Sequence, residues 1–317
     1  MSEPEKPAPP HWEREVLEKL ALSAIQEQRR TRHWGILFKT LGFLYLFIVL
    51  FLIAGWFGED GVAIPKAHTA LVDLQGVIAA DQASADSVIG SLQSAFEDNK
   101  TKGVILRINS PGGSPVQAGQ IYDEIKRLRA LHPNIPLYAV VDDICASGGY
   151  YVAAGADKIY VDKASIVGSI GVLMDGFGFT QTMEKLGVER RLLTAGENKG
   201  FLDPFSPVDP TQQAFAKEML AEIHGQFINV VREGRGKRLK ETPEMFSGLV
   251  WSGEKSIQLG LSDGLGTVES VARDVIKAED IVDYTQQDSF ADRLVGKLGV
   301  SMGKAMAPFE KAGVVLR

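Results

Sequence analysis

Beyond residue 65 the sequence predicts an α/β domain with largely parallel strands, preceded by one membrane-spanning helix. Two observations carry this prediction. Apolar runs of strand length alternate with helical stretches of ten or more residues, and one long uncharged segment lies near the N-terminus. A third observation, a pair of glycine turns that each follow a strand, marks where chemistry would sit.

The uncharged segment comes first in the chain. From Thr40 to Gly58 there are 19 consecutive uncharged residues, which as a helix rising about 1.5 Å per residue nearly cross a hydrocarbon core of ~30 Å. The stretch 33–38 extends it, interrupted only by Lys39, whose stem can snorkel. Trp34, Tyr45 and Trp56 include two interfacial aromatic residues at the ends. The segment lies too far from the N-terminus for a cleaved leader, and no small-residue cleavage site follows it. Arg29, Arg30, Arg32 and Lys39 precede it, whereas only Lys66 falls in the 20 residues after Phe57. The positive-inside rule therefore leaves the N-terminus in the cytoplasm and sends the remainder outward. Trp12, Val16, Leu20 and Ala24 give the leader an amphipathic helical spacing. The organisation read from this is an N-terminal cytoplasmic segment over 1–34, an anchor over 35–58, a linker over 59–67, a globular domain over 68–282 and a tail over 283–317.

Within the globular domain, strands are expected over 68–78, 103–109, 135–141, 158–161, 169–173 and 190–193. Helices are expected over 83–98, 115–131, 149–156, 179–186, 210–235 and 253–259. No internal repeat of fixed period is present. The chain has 317 residues, 45% apolar and 23% charged, enough for a sizeable core. A net charge of -6, without a basic stripe, gives no reason to expect nucleic acid. The single cysteine, Cys145, excludes an internal disulfide framework and a multi-cysteine metal site.

The first glycine turn is Asn109-Ser110-Pro111-Gly112-Gly113 and the second is Ala146-Ser147-Gly148-Gly149. In α/β sheets functional groups gather at the carboxyl edge of the strands. Glycine there lets backbone N–H groups approach a ligand closely, and two such donors answer the negative charge that develops on a carbonyl oxygen attacked by a serine. A serine ahead of a helix is often only an N-cap, so either turn alone is a weak signal. Both together, after consecutive strands, point to Ser147 as a nucleophile. Phosphate binding fits less well, because neither a G-x-x-x-x-G-K-[ST] loop nor a G-x-G-x-x-G fingerprint is present. Cys145 is expected to end a buried strand as a small apolar side chain. The five histidines are His11, His33, His68, His132 and His224, with none between His132 and His224. A Ser-His-Asp triad is not excluded, since triads are spatial, but nothing in the sequence supports one. Lysine is the other candidate base.

Four motifs in order resemble the signal peptide peptidase A family, of the Clp protease/crotonase-like fold. They are Asn109-Ser110-Pro111-Gly112-Gly113, Ala146-Ser147-Gly148-Gly149-Tyr150-Tyr151, Gly168-Ser169-Ile170-Gly171-Val172 and Lys199-Gly200-Phe201-Leu202-Asp203-Pro204-Phe205. The likeness runs over roughly 70–271. It implies a repeated β-β-α core and a Ser-Lys dyad peptidase, without a cofactor or metal. Ser147 matches the nucleophile, Lys199 the general base, and Ser169 the hydroxyl that orients the lysine amine. The backbone N–H groups of Gly113 and Gly148 match the oxyanion donors, with Gly112 a neighbouring alternative to Gly113. The resemblance further implies remnant signal peptides and unfolded membrane-associated segments as substrates. It also implies a single-pass protein of the bacterial inner membrane with a periplasmic domain, and a homo-oligomer with sites shared between adjacent subunits.

A lysine base must be desolvated to give up its proton near neutral pH. Phe201 and Phe205 are expected as apolar walls, and Glu197 and Asp203 are expected to point away. Two other classes compete: a catalytically silent membrane scaffold on the same fold, and an acyl-CoA enzyme. The joint presence of Ser147, Lys199 and Ser169 argues against the scaffold, and export from the CoA-containing compartment argues against the acyl-CoA enzyme.

Overall fold

A computed structural model describes residues 12–53 and 67–286. The N-terminal unit is one continuous helix, α1 (Trp12–Ile53). Its 42 residues span about 63 Å, roughly twice a hydrocarbon core, so the described parts of the expected leader and anchor lie on one helix. Among the described residues α1 is the one helix long and apolar enough to cross a membrane, over Val16–Phe51. The end of the expected anchor at 54–58, most of the linker, and the tail beyond 286 lie outside the described residues.

The second unit covers 64–287 and follows the expected alternation. In order it comprises β1 (His68–Gln75), α2 (Ala85–Glu97), β2 (Thr101–Ser110), α3 (Pro115–Leu131), β3 (Leu137–Ala146) and α4 (Gly148–Ala153). Next come β4 (Lys158–Val161), β5 (Ile166–Gly168), α5 (Thr180–Lys185), α6 (Pro210–Arg235), β6 (Val250–Ser252), α7 (Gly253–Gln258) and β7 (Gly264–Leu265). A short helical turn, Val268–Ser270, runs on as a π-helix, Val271–Ile276, before β8 (Ile281–Asp283). Local chemistry sets the helix starts. The Ser84 and Ser114 hydroxyls accept the N–H groups of Ser87 and Gln117, Asp209 caps α6, and Pro115 and Pro210 occupy first-turn positions that need no N–H donor.

The strands form one sheet in the order β6-β5-β3-β2-β1-β8, with β4 pairing β3 and β7. Every pair is parallel except β5 with β6. Such a sheet is covered on both faces, which explains the near-continuous apolar runs of β1 and β2. The larger core packs α2, α3 and α4 against Leu74, Leu106 and Ile108. A smaller one sets Val268, Val271 and Ala272 against Leu71, Ile105 and Val140.

The strand β3 positions the site. Its first half pairs with β4 and its last three residues with β5. Against β2, Ile108 pairs with Val141 and Ser110 with Cys145, so one residue of β2 faces three of β3. This bulge at 142–144 bends the end of the strand and re-aims the Ser147 turn.

Two expected strands are absent. The strand expected over 169–173 ends instead at Gly168, because Ser169 takes a positive φ of 52° and the N–H of Gly171 folds back onto its carbonyl at 2.9 Å. Residues 190–193 form no strand: Leu192 and Leu193 are exposed and no described strand lies alongside to supply backbone partners. The short strands β6, β7 and β8 were not expected.

Candidate active site

At the end of β3 the chain turns abruptly. Ser147 has φ 52° and ψ -124°, a conformation that glycine dominates and that costs an L-residue about 1–3 kcal/mol. The turn is held by the Ser147 N–H, which donates to the Gly168 carbonyl at 2.8 Å, and by the Ser147 carbonyl, which accepts from Tyr151 N–H at 3.0 Å. Ser147 occupies the N-cap position of α4, yet its hydroxyl caps nothing. The ordinary structural use of a serine there is therefore not made.

The first glycine turn lies directly against it. Gly112 has φ 100°, and a Cβ on it would fall 2.7 Å from both the Gly148 nitrogen and Ser147 Cβ. Gly113 has φ 151°, and a Cβ there would collide with the Ile78 carbonyl. That carbonyl accepts from Ser114 N–H while Ile78 N–H donates to the Gly112 carbonyl, each at 2.8 Å. The Ser110 hydroxyl braces the turn by accepting from Gly112 N–H and donating to the Gly76 carbonyl. The backbone N–H groups of Gly113 and Gly148 are left over at this corner. Neither donates a hydrogen bond among the described residues. The two residues are close together, since a Cβ on Gly148 would lie 3.3 Å from the Gly113 nitrogen.

Substituting Gly112 tests how tightly this corner is built. Gly112→Ala should lower peptide hydrolysis by about a hundredfold, because displacing α4 by the room a methyl needs moves the serine and both donors off line. Steady-state hydrolysis beside a thermal melt measures this, and a well-folded alanine variant with parental kcat would refute it.

The remaining candidates fall on two segments. Ser169 has φ 52° and its N–H donates to the Leu249 carbonyl at 2.8 Å, which sets its turn beside that of Ser147 through Gly168. Lys199 is exposed in a turn closed by its own N–H to the Gly196 carbonyl at 3.1 Å. Among the described residues its amine makes no hydrogen bond or ion pair. The structure thus brings together Ser147, Gly113, Gly148 and the Ser169 turn; among the described residues no hydrogen bond ties Lys199 to any of them. Phe201 packs edge-on against Phe215, and Phe205 stacks on Phe179 beneath the Arg190 guanidinium. Neither ring buries the amine within one chain. Asp203 is held by Arg190 at 3.0 Å and by the Ser206 hydroxyl at 2.6 Å, and Glu197 is exposed.

The other nucleophiles and bases are accounted for. Cys145 is fully buried, and burial pushes its thiol well above the ordinary range, so no thiolate forms there. His68 is buried against the Tyr284 hydroxyl at 3.0 Å and His132 packs on Phe96. His224 donates from Nε2 to the Ile170 carbonyl at 3.1 Å. None of the three bonds to Ser147. His224 and the Leu249 carbonyl are neighbours of the site that sequence reading missed, and no local signal marks either. Among the described residues no group of three His, Cys, Asp or Glu side chains could hold a metal ion.

A largely parallel α/β sheet with a strained serine beside free backbone donors defines a Clp protease-like domain. Sequence comparison agrees: the profile of the Clp proteases matches residues 68–166 and that of peptidase family S49 matches residues 129–282. A Synechocystis protein, "Putative protease slr0021", is 32% identical over 64% of this chain and 72% of its own length. The "Putative signal peptide peptidase SppA" of Enterococcus faecium is 30% identical over 65% of this chain. The chain belongs to peptidase family S49. A Brucella melitensis protein named "Na(+)/H(+) antiporter NhaA" is also similar, 42% identical over 68% of this chain. The chain spans 29% of that protein and 59% of the Enterococcus one. Because α1 is the one candidate membrane span among the described residues, the antiporter's name is not carried over.

Proposed function

We propose that the chain is a membrane-anchored serine endopeptidase that works through a Ser147–Lys199 dyad. The observation that carries this reading is the pair of unclaimed N–H groups, on the neighbouring Gly113 and Gly148, beside a serine whose hydroxyl does no capping. In the reaction, Lys199 Nζ as a neutral amine takes the Ser147 hydroxyl proton while Oγ bonds to the scissile carbonyl carbon. Gly113 and Gly148 donate to the oxyanion. Collapse breaks the C–N bond, and the lysine ammonium returns the proton to the leaving amine. Water, deprotonated by the same amine, then hydrolyses the Ser147 ester. Ser169 orients the amine throughout. No step calls for a cofactor or metal.

In this reading 68–282 is the peptidase domain and 283–317 an accessory tail. The basic residues ahead of the uncharged run favour a cytoplasmic N-terminus and a domain on the periplasmic face of a bacterial inner membrane. Substrates are remnant signal peptides and unfolded membrane-associated segments, in keeping with the signal peptide peptidase name of the Enterococcus relative.

The lysine comes from an adjacent copy. Two observations support this: the Lys199 amine is exposed and has no partner among the described residues, and its segment displays large apolar side chains, Leu173 at 82%, Phe177 at 76% and Leu193 at 96% exposure. Apolar surface of that extent calls for a partner, and its burial would also desolvate the amine. Mixing Ser147→Ala with Lys199→Ala chains tests this. Half the serines and half the lysines are intact, so random assembly in a ring should restore about a quarter of parental activity. Mixed oligomers that recover none would exclude the shared site.

A further inference from the structure

We infer that His224 is a positioning residue for the Ser169 turn, acting through the Ile170 carbonyl; this rests on the dyad reading above. Ser169 is a non-glycine residue at φ 52°, a conformation that persists only where its surroundings impose it. Four hydrogen bonds impose it here. Gly168 accepts from Ser147 N–H at 2.8 Å, Ser169 N–H donates to Leu249 at 2.8 Å, Gly171 N–H donates to Ser169 at 2.9 Å, and His224 Nε2 donates to Ile170 at 3.1 Å. The first three are backbone bonds. Among the described residues the imidazole makes the only side-chain hydrogen bond to 168–171. A carbonyl only accepts, so Nε2 carries the proton, and the bond exists in both the neutral Nε2–H tautomer and the imidazolium.

The location gives this bond its leverage. Ile170 is fully buried, and the exposed stretch begins a few residues beyond it, so His224 holds the last packed residue of the turn. The same Gly168 carbonyl that sits in this turn receives the Ser147 N–H. A shift of the turn therefore reaches both the nucleophile and the hydroxyl that orients its base. His224 projects from α6, whose first turn also fixes the lysine turn: Gln212 Oε1 accepts the N–H of Leu202, a residue at φ 51°. The two contacts are twelve residues apart, about 18 Å along one rigid helix.

Three variants of the full-length chain in detergent, assayed on a quenched peptide, test the inference. His224→Gln keeps an N–H donor at similar reach and should retain most of kcat. His224→Leu keeps bulk without a donor, and His224→Asn keeps a donor that falls short. Both should lose about tenfold or more in kcat, with KM within about twofold, because positioning rather than peptide binding is lost. Parental kcat in the leucine variant, or equal losses in the glutamine and asparagine variants, would overturn it. If the leucine chain does not fold, the glutamine–asparagine comparison decides. A Ser147→Ala chain with parental activity would instead sink the serine-peptidase reading and this inference with it.

Discussion

Ser147→Ala should leave the chain folded and remove at least about 10⁴-fold of its peptide hydrolysis, the scale seen when a nucleophile is deleted from a site that acts as a unit. The folding half of this expectation is unusually clean. The backbone strain at φ 52° comes from Cβ, which alanine keeps, so the strain is the same in both chains. The hydroxyl removed makes no hydrogen bond among the described residues, so no partner there is orphaned. The bonds that shape the turn, Ser147 N–H to Gly168 and Tyr151 N–H to Ser147, are backbone bonds and survive. Thermal melts of the two chains should therefore coincide within a degree or two, a surface-substitution-sized difference, while turnover collapses. An intact melt with unchanged turnover would assign the hydrolysis to another group. A collapsed melt would show that the hydroxyl is structural after all.

How much of this site is legible in the sequence depends on how local the controlling physics is. The two glycine turns are legible because a positive φ and a close backbone approach both demand glycine, and they leave that mark within five residues. The strands β1 to β4 are legible because a sheet covered on both faces demands continuous apolar runs. β6, β7 and β8 have two or three residues each. At that length pairing is set by where neighbouring backbone arrives, and no period can register it. Residues 169–173 read as a strand because Ile170 and Val172 are apolar and β-branched. The structure uses Ile170 differently, to anchor a turn bonded to Leu249 and to His224 from 80 and 54 residues away. The arm that carries Lys199 is apolar like a core element, yet lies exposed in the single chain.

The second large effect concerns stability. Asp263→Ala should destabilise the domain by about 3–5 kcal/mol, because it strands a buried cation. Arg235, at the end of α6, is 1% exposed. Its Nη1 meets Asp263 Oδ2 at 2.8 Å, its Nε donates to the Gly260 carbonyl at 2.8 Å, and its Nη2 has no partner. The same carboxylate accepts Ile159 N–H at 2.7 Å and reaches Arg238 at 3.2 Å. Through it the end of α6 is fixed to β4 and to the chain leading into β7. Burial pushes the Asp263 carboxyl pKa up, but the Arg235 hydrogen bond and charge, the Ile159 N–H and Arg238 outweigh burial and leave it below its ordinary value. A carboxyl depressed in the folded state stabilises above its unfolded pKa of about 3.9 and loses that contribution as pH falls through the folded value. The gap between parent and Asp263→Ala should therefore be full at neutral pH and narrow below about pH 4. Denaturant titration of both chains across that range measures it. Replacing both partners, Arg235→Met with Asp263→Leu, should cost less than Asp263→Ala alone, since it removes the stranded charge together with the pair. A double variant less stable than the single one would show that the two groups hold the end of α6 by their separate contacts, and that the ion pair is not what fixes it.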